Sequence, residues 1–178
     1  MRHGKTDWNE KHRLQGRTDI PLNEDGKRMA SEAARKYKDV KIDVCFCSPL
    51  VRAMETAELF VGERDIPIIT DDRLMEMSFG EYEGTENYFS VSDCPINALF
   101  TKPEEYTESF GGAETFEELF QRTGEFLTEV INPLLDKGKD VLIVGHGAMN
   151  SSIICQIKNY PIEKFWSAGI ENCKLMPL

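Results

Sequence analysis

Arg2-His3-Gly4-Lys5-Thr6-Asp7-Trp8-Asn9 opens the chain, and Gly145-His146-Gly147 echoes it far downstream, directly after the apolar run Val141-Leu142-Ile143-Val144. Two histidines and an arginine set among glycines make a kit for handling phosphate. A neutral imidazole can attack phosphorus, a guanidinium can grip two phosphate oxygens in a planar fork, and glycine lets backbone approach an anion closely. For one histidine taken alone, a hydrogen-bonded core or surface role is the commoner outcome. The combination shifts that balance toward phosphoryl transfer.

Outward from these blocks the chain alternates between two kinds of pattern. Val40 to Cys47, Ile66 to Thr70 and Val141 to Gly145 are short apolar runs rich in branched side chains, and they predict buried strands. Between them, Gly26 to Lys38 places Met29, Ala33 and Tyr37 at helical spacing, and Ser48-Pro49 reads as an N-cap and first-turn proline for a helix reaching Val61. Thr115-Phe116-Glu117-Glu118 is a capping box, opening a helix with a wide apolar face from Phe116 to Leu135. Ala148 to Lys158 predicts the helix after the last clear strand. Strands alternating with helices imply an α/β fold: a mainly parallel sheet, helices on both faces, and a site at the strands' carboxyl ends. His146 falls at such an end, and Arg52, one turn into the helix after Ser48, leans toward the same mouth.

With 178 residues, 40% of them hydrophobic, the chain suffices for one domain and one core. Its 21 basic and 31 acidic residues give a formal net charge of -10, which disfavours nucleic acid and anionic membrane surfaces as partners. No apolar run approaches the ~18 residues of a membrane span, and no signal segment opens the sequence, so a cytoplasmic enzyme is expected. Five cysteines are too few and too scattered for a disulfide framework. Cys45 and Cys47 share one side of a strand with no cluster to complete a zinc set, so they read as core, and neither metal nor cofactor is expected.

Four separated blocks resemble the histidine phosphatase superfamily, in the branch that holds cofactor-dependent phosphoglycerate mutase and its small-molecule phosphatase relatives. They are Arg2 to Asn9, Ser48-Pro49-Leu50-Val51-Arg52-Ala53-Met54-Glu55-Thr56-Ala57, Arg73-Leu74-Met75-Glu76 through Phe79-Gly80-Glu81-Tyr82-Glu83-Gly84, and Gly145-His146-Gly147. The resemblance implies that His3 is the nucleophile and forms a phosphohistidine that water hydrolyses. It makes Arg2 and Arg52 phosphate ligands, His146 a donor to a nonbridging oxygen, Asn9 a phosphate contact, and Gln15 and Gly16 lining of the pocket. Gly147 would add backbone N–H and the start of a helix dipole. Glu76 takes the family's acid position, with Glu81 and Glu83 as competing carboxylates; acting as an acid near neutrality calls for burial, which Met75, Met77 and Phe79 can provide. His12 has no counterpart and is expected on an exposed loop. In such relatives a central strand leads into the Arg-His-Gly block, whereas Met1 alone precedes it here, so a truncated N-terminal strand is expected and residues 171–178 read as a final strand cut short.

The whole chain is read as a single domain with a lid-like insertion over about residues 85–114. That segment holds one basic residue, Lys102, among Glu86, Asp93, Glu104, Glu105, Glu108 and Glu114, together with Tyr88, Phe89, Phe100, Tyr106 and Phe110. A mutase needs extra cations there, so hydrolysis of a small phosphomonoester is the expected activity. The aromatics either face the leaving group or anchor the segment to the body. A phosphoglycerate mutase and a catalytically silent phosphate-binding module are the alternatives.

Overall fold

The computed structural model describes residues 1–86 and 94–178. Three strands, β1 (Val44–Cys47), β2 (Ile68–Thr70) and β3 (Val141–Val144), form a parallel sheet in the order β2-β1-β3, with Cys45 opposite both Ile68 and Leu142. The helices are α1 (Asp7–Glu10), α2 (Glu24–Lys36), α3 (Val51–Val61), α4 (Asn97–Thr101), α5 (Phe116–Phe126), α6 (Asn132–Leu135) and α7 (Gly147–Lys158). Alternation along β1 divides the core between them. Cys45 and Cys47 pack with Ala30 and Ala33 of α2 and Ala53, Ala57 and Phe60 of α3. Val44 and Phe46 pack with Phe126, Leu127 and Ile131 and with Met149 and Ile153 of α7. This is the α/β architecture that the alternating patterns predict.

Element ends depart from expectation for local reasons. β1 begins at Val44 rather than Val40, because Lys41 and Asp43 belong to a surface charge cluster with Lys139 and Asp140. β2 begins at Ile68, after Pro67, which has no N–H to give a ladder although its carbonyl accepts from Cys45. Ser48 is not the N-cap of α3. Leu50 holds that position, and the orphan Val51 N–H is taken by the Asp19 carboxylate at 2.8 Å. The long helix predicted from Thr115 keeps its capping box but breaks into α5, a π-helical turn (Leu127–Ile131) and α6. Pro133 removes one backbone donor at this point, and the widened turn absorbs it.

Beyond β3 the sheet is continued by residues 1–3. Gly145 N–H donates to Met1 O, His3 N–H donates to Gly145 O, and Cys173 N–H donates to Arg2 O, each at 2.9 Å. Arg2 thus forms isolated parallel bridges to Gly145 on one side and Asn172 on the other, where the expected central strand would run.

A third apolar cluster covers the carboxyl ends of the strands. Ile96, Leu99, Tyr106 and Ala113 join Phe79, Phe116, Leu119 and Phe165 in it. Of the aromatics foreseen in the insertion, Tyr106 is buried against Phe110 and Phe116, and Phe100 stacks on Trp166 with ring centroids 5.5 Å apart. Tyr88, Phe89 and Asp93 lie outside the described residues. No described helix is long and apolar enough to cross a membrane.

Candidate active site

His3 sits at the end of the short bridge that residues 1–3 make with Gly145, so its backbone is fixed by the sheet before its side chain is considered. Asn172 adds a second tether, its Nδ2 donating to His3 O at 2.6 Å. The ring is buried at 3% exposure, and its Nδ1 lies 2.6 Å from Gly4 O. A carbonyl can only accept, so Nδ1 carries the proton and Nε2 keeps its lone pair. Sequence calls for such an acceptor without naming it; the structure gives it as the next carbonyl in the chain. Burial, with Arg52 and Arg2 nearby, holds the His3 pKa well below the ordinary histidine value, so the ring is neutral at pH 7.

Close backbone packing makes this turn possible. A Cβ on Gly4 would lie 2.6 Å from Gly26 O, so only glycine fits between the loop and the start of α2. Gly4 N–H donates to Thr56 Oγ1 at 2.9 Å, and that hydroxyl donates to Arg52 O at 2.6 Å. The loop carrying His3 and the helix carrying Arg52 are therefore joined through one threonine.

Arg52 is fully buried and held in place by carbonyls, Gly16 O at 2.6 Å and Thr18 O at 2.9 Å, while its Nε is buried without a partner. Burial pulls its pKa down to about 10, opposed by Glu76 and Asp19, which leaves it charged at neutrality. Arg2 likewise has a buried Nε with no partner. His146 is the N-cap of α7, fully buried, with both ring nitrogens unpartnered and its centroid 5.1 Å from that of His3. Burial, then Arg52 and His3, lowers its pKa well below the usual value. Buried polar atoms without partners are costly, and Arg2, Arg52 and His146 each carry at least one close to the His3 ring.

A cavity of about 340 Å³ is lined by Arg2, His3, Asn9, Gln15, Gly16, Arg52, Glu76 and Gly147, whereas His146 is buried behind His3 and does not line it. Asn9 Oδ1 accepts from Thr6 N at 3.0 Å and Gln15 Oε1 from Thr6 Oγ1 at 2.9 Å, which fixes both amides with their NH₂ ends available to a ligand. A second cavity of about 410 Å³, lined by Lys158, Tyr160 and Lys164 among others, contains none of these groups. His12 is exposed, as expected.

Glu76 is 8% exposed and close to Met77 and Phe79 on the chain, but its immediate partners are polar. Its oxygens accept from the N–H groups of Met77, Gly147, Ala148 and Met149 at 2.9 to 3.3 Å, so the carboxyl sits on the first turn of α7. The Gly147 N–H expected to face a phosphate is thus occupied by Glu76. Glu83, a competing carboxylate, accepts from Arg17 N, Thr18 N, Thr18 Oγ1 and Phe79 N and shapes the loop whose carbonyls hold Arg52. Glu81 is exposed.

Sequence reasoning named Phe79 and Phe100, which line the cavity, but missed Arg13, Leu14, Ala148 and Trp166 beside them. It also missed Arg122, which holds Arg73 O and Met75 O. Nothing local marks Trp166 or Arg122, since each acts across a long span of chain.

Comparison with known proteins agrees with this geometry. The sequence pattern of the histidine phosphatase superfamily (branch 1) matches residues 1–178. The uncharacterized phosphatase PhoE of Bacillus subtilis is 36% identical over 157 residues, covering 88% of this chain and 75% of that protein. The putative phosphoserine phosphatase 2 of Hydrogenobacter thermophilus is 32% identical over 176 residues, 97% of this chain and 83% of its own. Relatives include bisphosphoglycerate-dependent phosphoglycerate mutases, one from Cytophaga hutchinsonii being 32% identical over 149 residues, 83% of this chain and 70% of its own. Among solved structures, Bacillus stearothermophilus YhfR superposes with a TM-score of 0.85 at 31% identity, over 96% of this chain and 84% of that one. Motif, fold and the imidazole pair at the strand ends thus agree that the chain belongs to the histidine phosphatase superfamily.

Proposed function

We propose that this protein hydrolyses small phosphomonoesters through a phosphohistidine on His3. One observation carries the reading: a neutral imidazole whose Nδ1 is committed to Gly4 O shares a cavity with the unpartnered nitrogens of Arg2 and Arg52. His3 Nε2 attacks phosphorus as the bond to the leaving oxygen breaks, and Glu76 gives that oxygen a proton. Water then attacks the phosphohistidine, Glu76 takes its proton, and the N–P bond breaks to release orthophosphate. Arg2 and Arg52 balance the charge on the equatorial oxygens and His146 donates a hydrogen bond to one of them, with Asn9, Gln15 and the Gly16 backbone completing the cradle. Two guanidiniums supply the charge that a metal provides in other phosphatases, and a neutral imidazole adds a hydrogen bond, which supports a metal-independent, acid-type enzyme.

Hydrolysis ranks above mutase action because the remaining cations are engaged. Arg13 pairs with Glu86, Arg17 with Glu114 at 3.3 Å, and Lys102, the one basic residue between positions 85 and 114, with Glu105 at 2.7 Å. We read the chain as one domain whose insertion over about residues 85–114 roofs the cavity through Phe100. The formal charge of -10 supports small molecules rather than nucleic acid or membrane as partners, and the five free cysteines support a cytoplasmic setting.

The test is phosphate release from p-nitrophenyl phosphate and a panel of metabolite phosphates. Activity should persist with a chelator, be inhibited by orthophosphate and vanadate, and vanish in His3→Ala. Turnover restored by zinc or magnesium after chelation would overturn the metal-independent reading, and faster isomerisation of 3-phosphoglycerate than phosphate release, with the bisphosphorylated primer, would establish a mutase. Tight phosphate binding without turnover would leave a silent binding module.

A further inference from the structure

We infer that Arg122 is a positioning residue that, with Glu114 and Arg17, fixes the backbone carrying Glu76 without touching any reacting atom. This rests on Glu76 being the proton donor proposed above. Residues 75–79 have no helix or strand of their own, so although the first turn of α7 holds the Glu76 carboxyl, no ladder holds the backbone that delivers it. Arg122 constrains that backbone from α5. Its Nη1 donates to Arg73 O at 2.6 Å and to Met75 O at 2.9 Å, immediately upstream of Glu76. Its other edge grips Glu114, Nε to Oε1 at 2.6 Å and Nη2 to Oε2 at 3.0 Å, in the planar fork that arginine alone provides.

Glu114 carries the constraint downstream. Its Oε2 accepts from Ser78 N at 3.2 Å, and its own N–H donates to Ser78 O at 2.8 Å. Arg17 closes the remaining side, Nε to Glu76 O at 3.3 Å and Nη2 to Glu114 Oε1 at 3.3 Å. The carbonyls of residues 73, 75 and 76 and the Ser78 N–H are therefore held by three charged side chains, and Ser78 O by the Glu114 backbone. None of the three lines the cavity. The Arg122 and Glu114 side chains are 14% and 7% exposed, and a buried ion pair contributes little net stability compared with apolar filling, so geometry is the better account of this one. Displacing a catalytic group by about 1 Å can cost on the order of 100-fold in rate.

Leaving-group dependence separates this role from a structural one. kcat/KM reports the step that expels the leaving group, and p-nitrophenolate leaves without a proton whereas an alkoxide does not. In Arg122→Ala, kcat/KM should fall roughly 30- to 100-fold for ethyl phosphate and stay within about 3-fold of wild type for p-nitrophenyl phosphate. Glu76→Gln should show the same bias, and the double variant should be no worse than Glu76→Gln alone. Arg122→Lys keeps the charge but not the fork, and should give the same bias at smaller amplitude; it carries the test if Arg122→Ala does not fold. Equal losses on both esters, or multiplied losses in the double variant, overturn the inference. If Glu76→Gln is biased and the Arg122 variants are not, the positioning role alone fails. An unbiased Glu76→Gln removes the acid assignment and this inference with it.

Discussion

Lowering the pH from 7.5 to 5.5 should cost the folded protein on the order of 3 kcal/mol through two side chains. His3 and His146 are buried, and both are held neutral well below the ordinary value of 6.5, chiefly by loss of solvation and by Arg52. In the unfolded chain an imidazole of ordinary pKa is about nine-tenths protonated at pH 5.5. A ring that binds a proton only when unfolded gives a slope approaching about 1.4 kcal/mol per pH unit below its unfolded pKa, so the two together contribute on the order of 3 kcal/mol across the window. The sign follows from the folded values lying below the unfolded one: stability is complete above 6.5 and is lost as the pH falls beneath it. Carboxylates titrate mostly below the window, at about 4, so they add little. Urea denaturation followed by tryptophan fluorescence at the two pH values, without phosphate, measures the loss. His3→Gln and His146→Gln should each remove about half of the pH dependence. A loss below about 1 kcal/mol in the wild type, or one unchanged in both variants, would refute the reasoning.

With His3 as the proposed nucleophile, its neutral ring should keep the acid limb of kcat/KM well below 6.5; a limb centred at 6.5 or above would contradict it. Arg52→Lys loses both carbonyl tethers and the fork, and kcat/KM should drop about 100- to 1,000-fold with little change in far-UV circular dichroism. Gly16→Ala forces a side chain onto φ +56° and into Glu83, so it should destabilise by about 1–3 kcal/mol by thermal or urea melts and raise KM by loosening Arg52. Thr115→Ala removes one half of the capping box of α5 and should cost about 1 kcal/mol with activity per folded molecule unchanged.

What the sequence made legible depended on range. The three apolar strands, the helical faces and the capping box at Thr115 are local patterns of period and spacing, and they appear close to where those patterns place them. The eight residues expected around the phosphate that line one cavity came from motif blocks, each of which fixes its own loop. The N-cap of α3 escaped because the group that satisfies Val51 comes from Asp19, 32 residues earlier. The break after Phe126 escaped because the apolar stripe continues through the π turn; only Pro133 signals it. Arg122 and Trp166 escaped for the same reason as Asp19: a charge reaching a distant carbonyl, or a ring reaching a distant wall, leaves no periodic trace.

The bridges that hold His3 bear on how the site comes into being. Gly145 lies 142 positions along the chain from His3 and Asn172 lies 169, so His3 acquires its place only after the largest loops in the molecule have closed. Such closures bring their entropic penalty late, when β1, β2 and the helices flanking them can already have formed from nearer neighbours. Recovery of turnover after dilution from urea should therefore lag behind recovery of ellipticity, and catalysis becomes a reporter of the final docking event rather than of collapse.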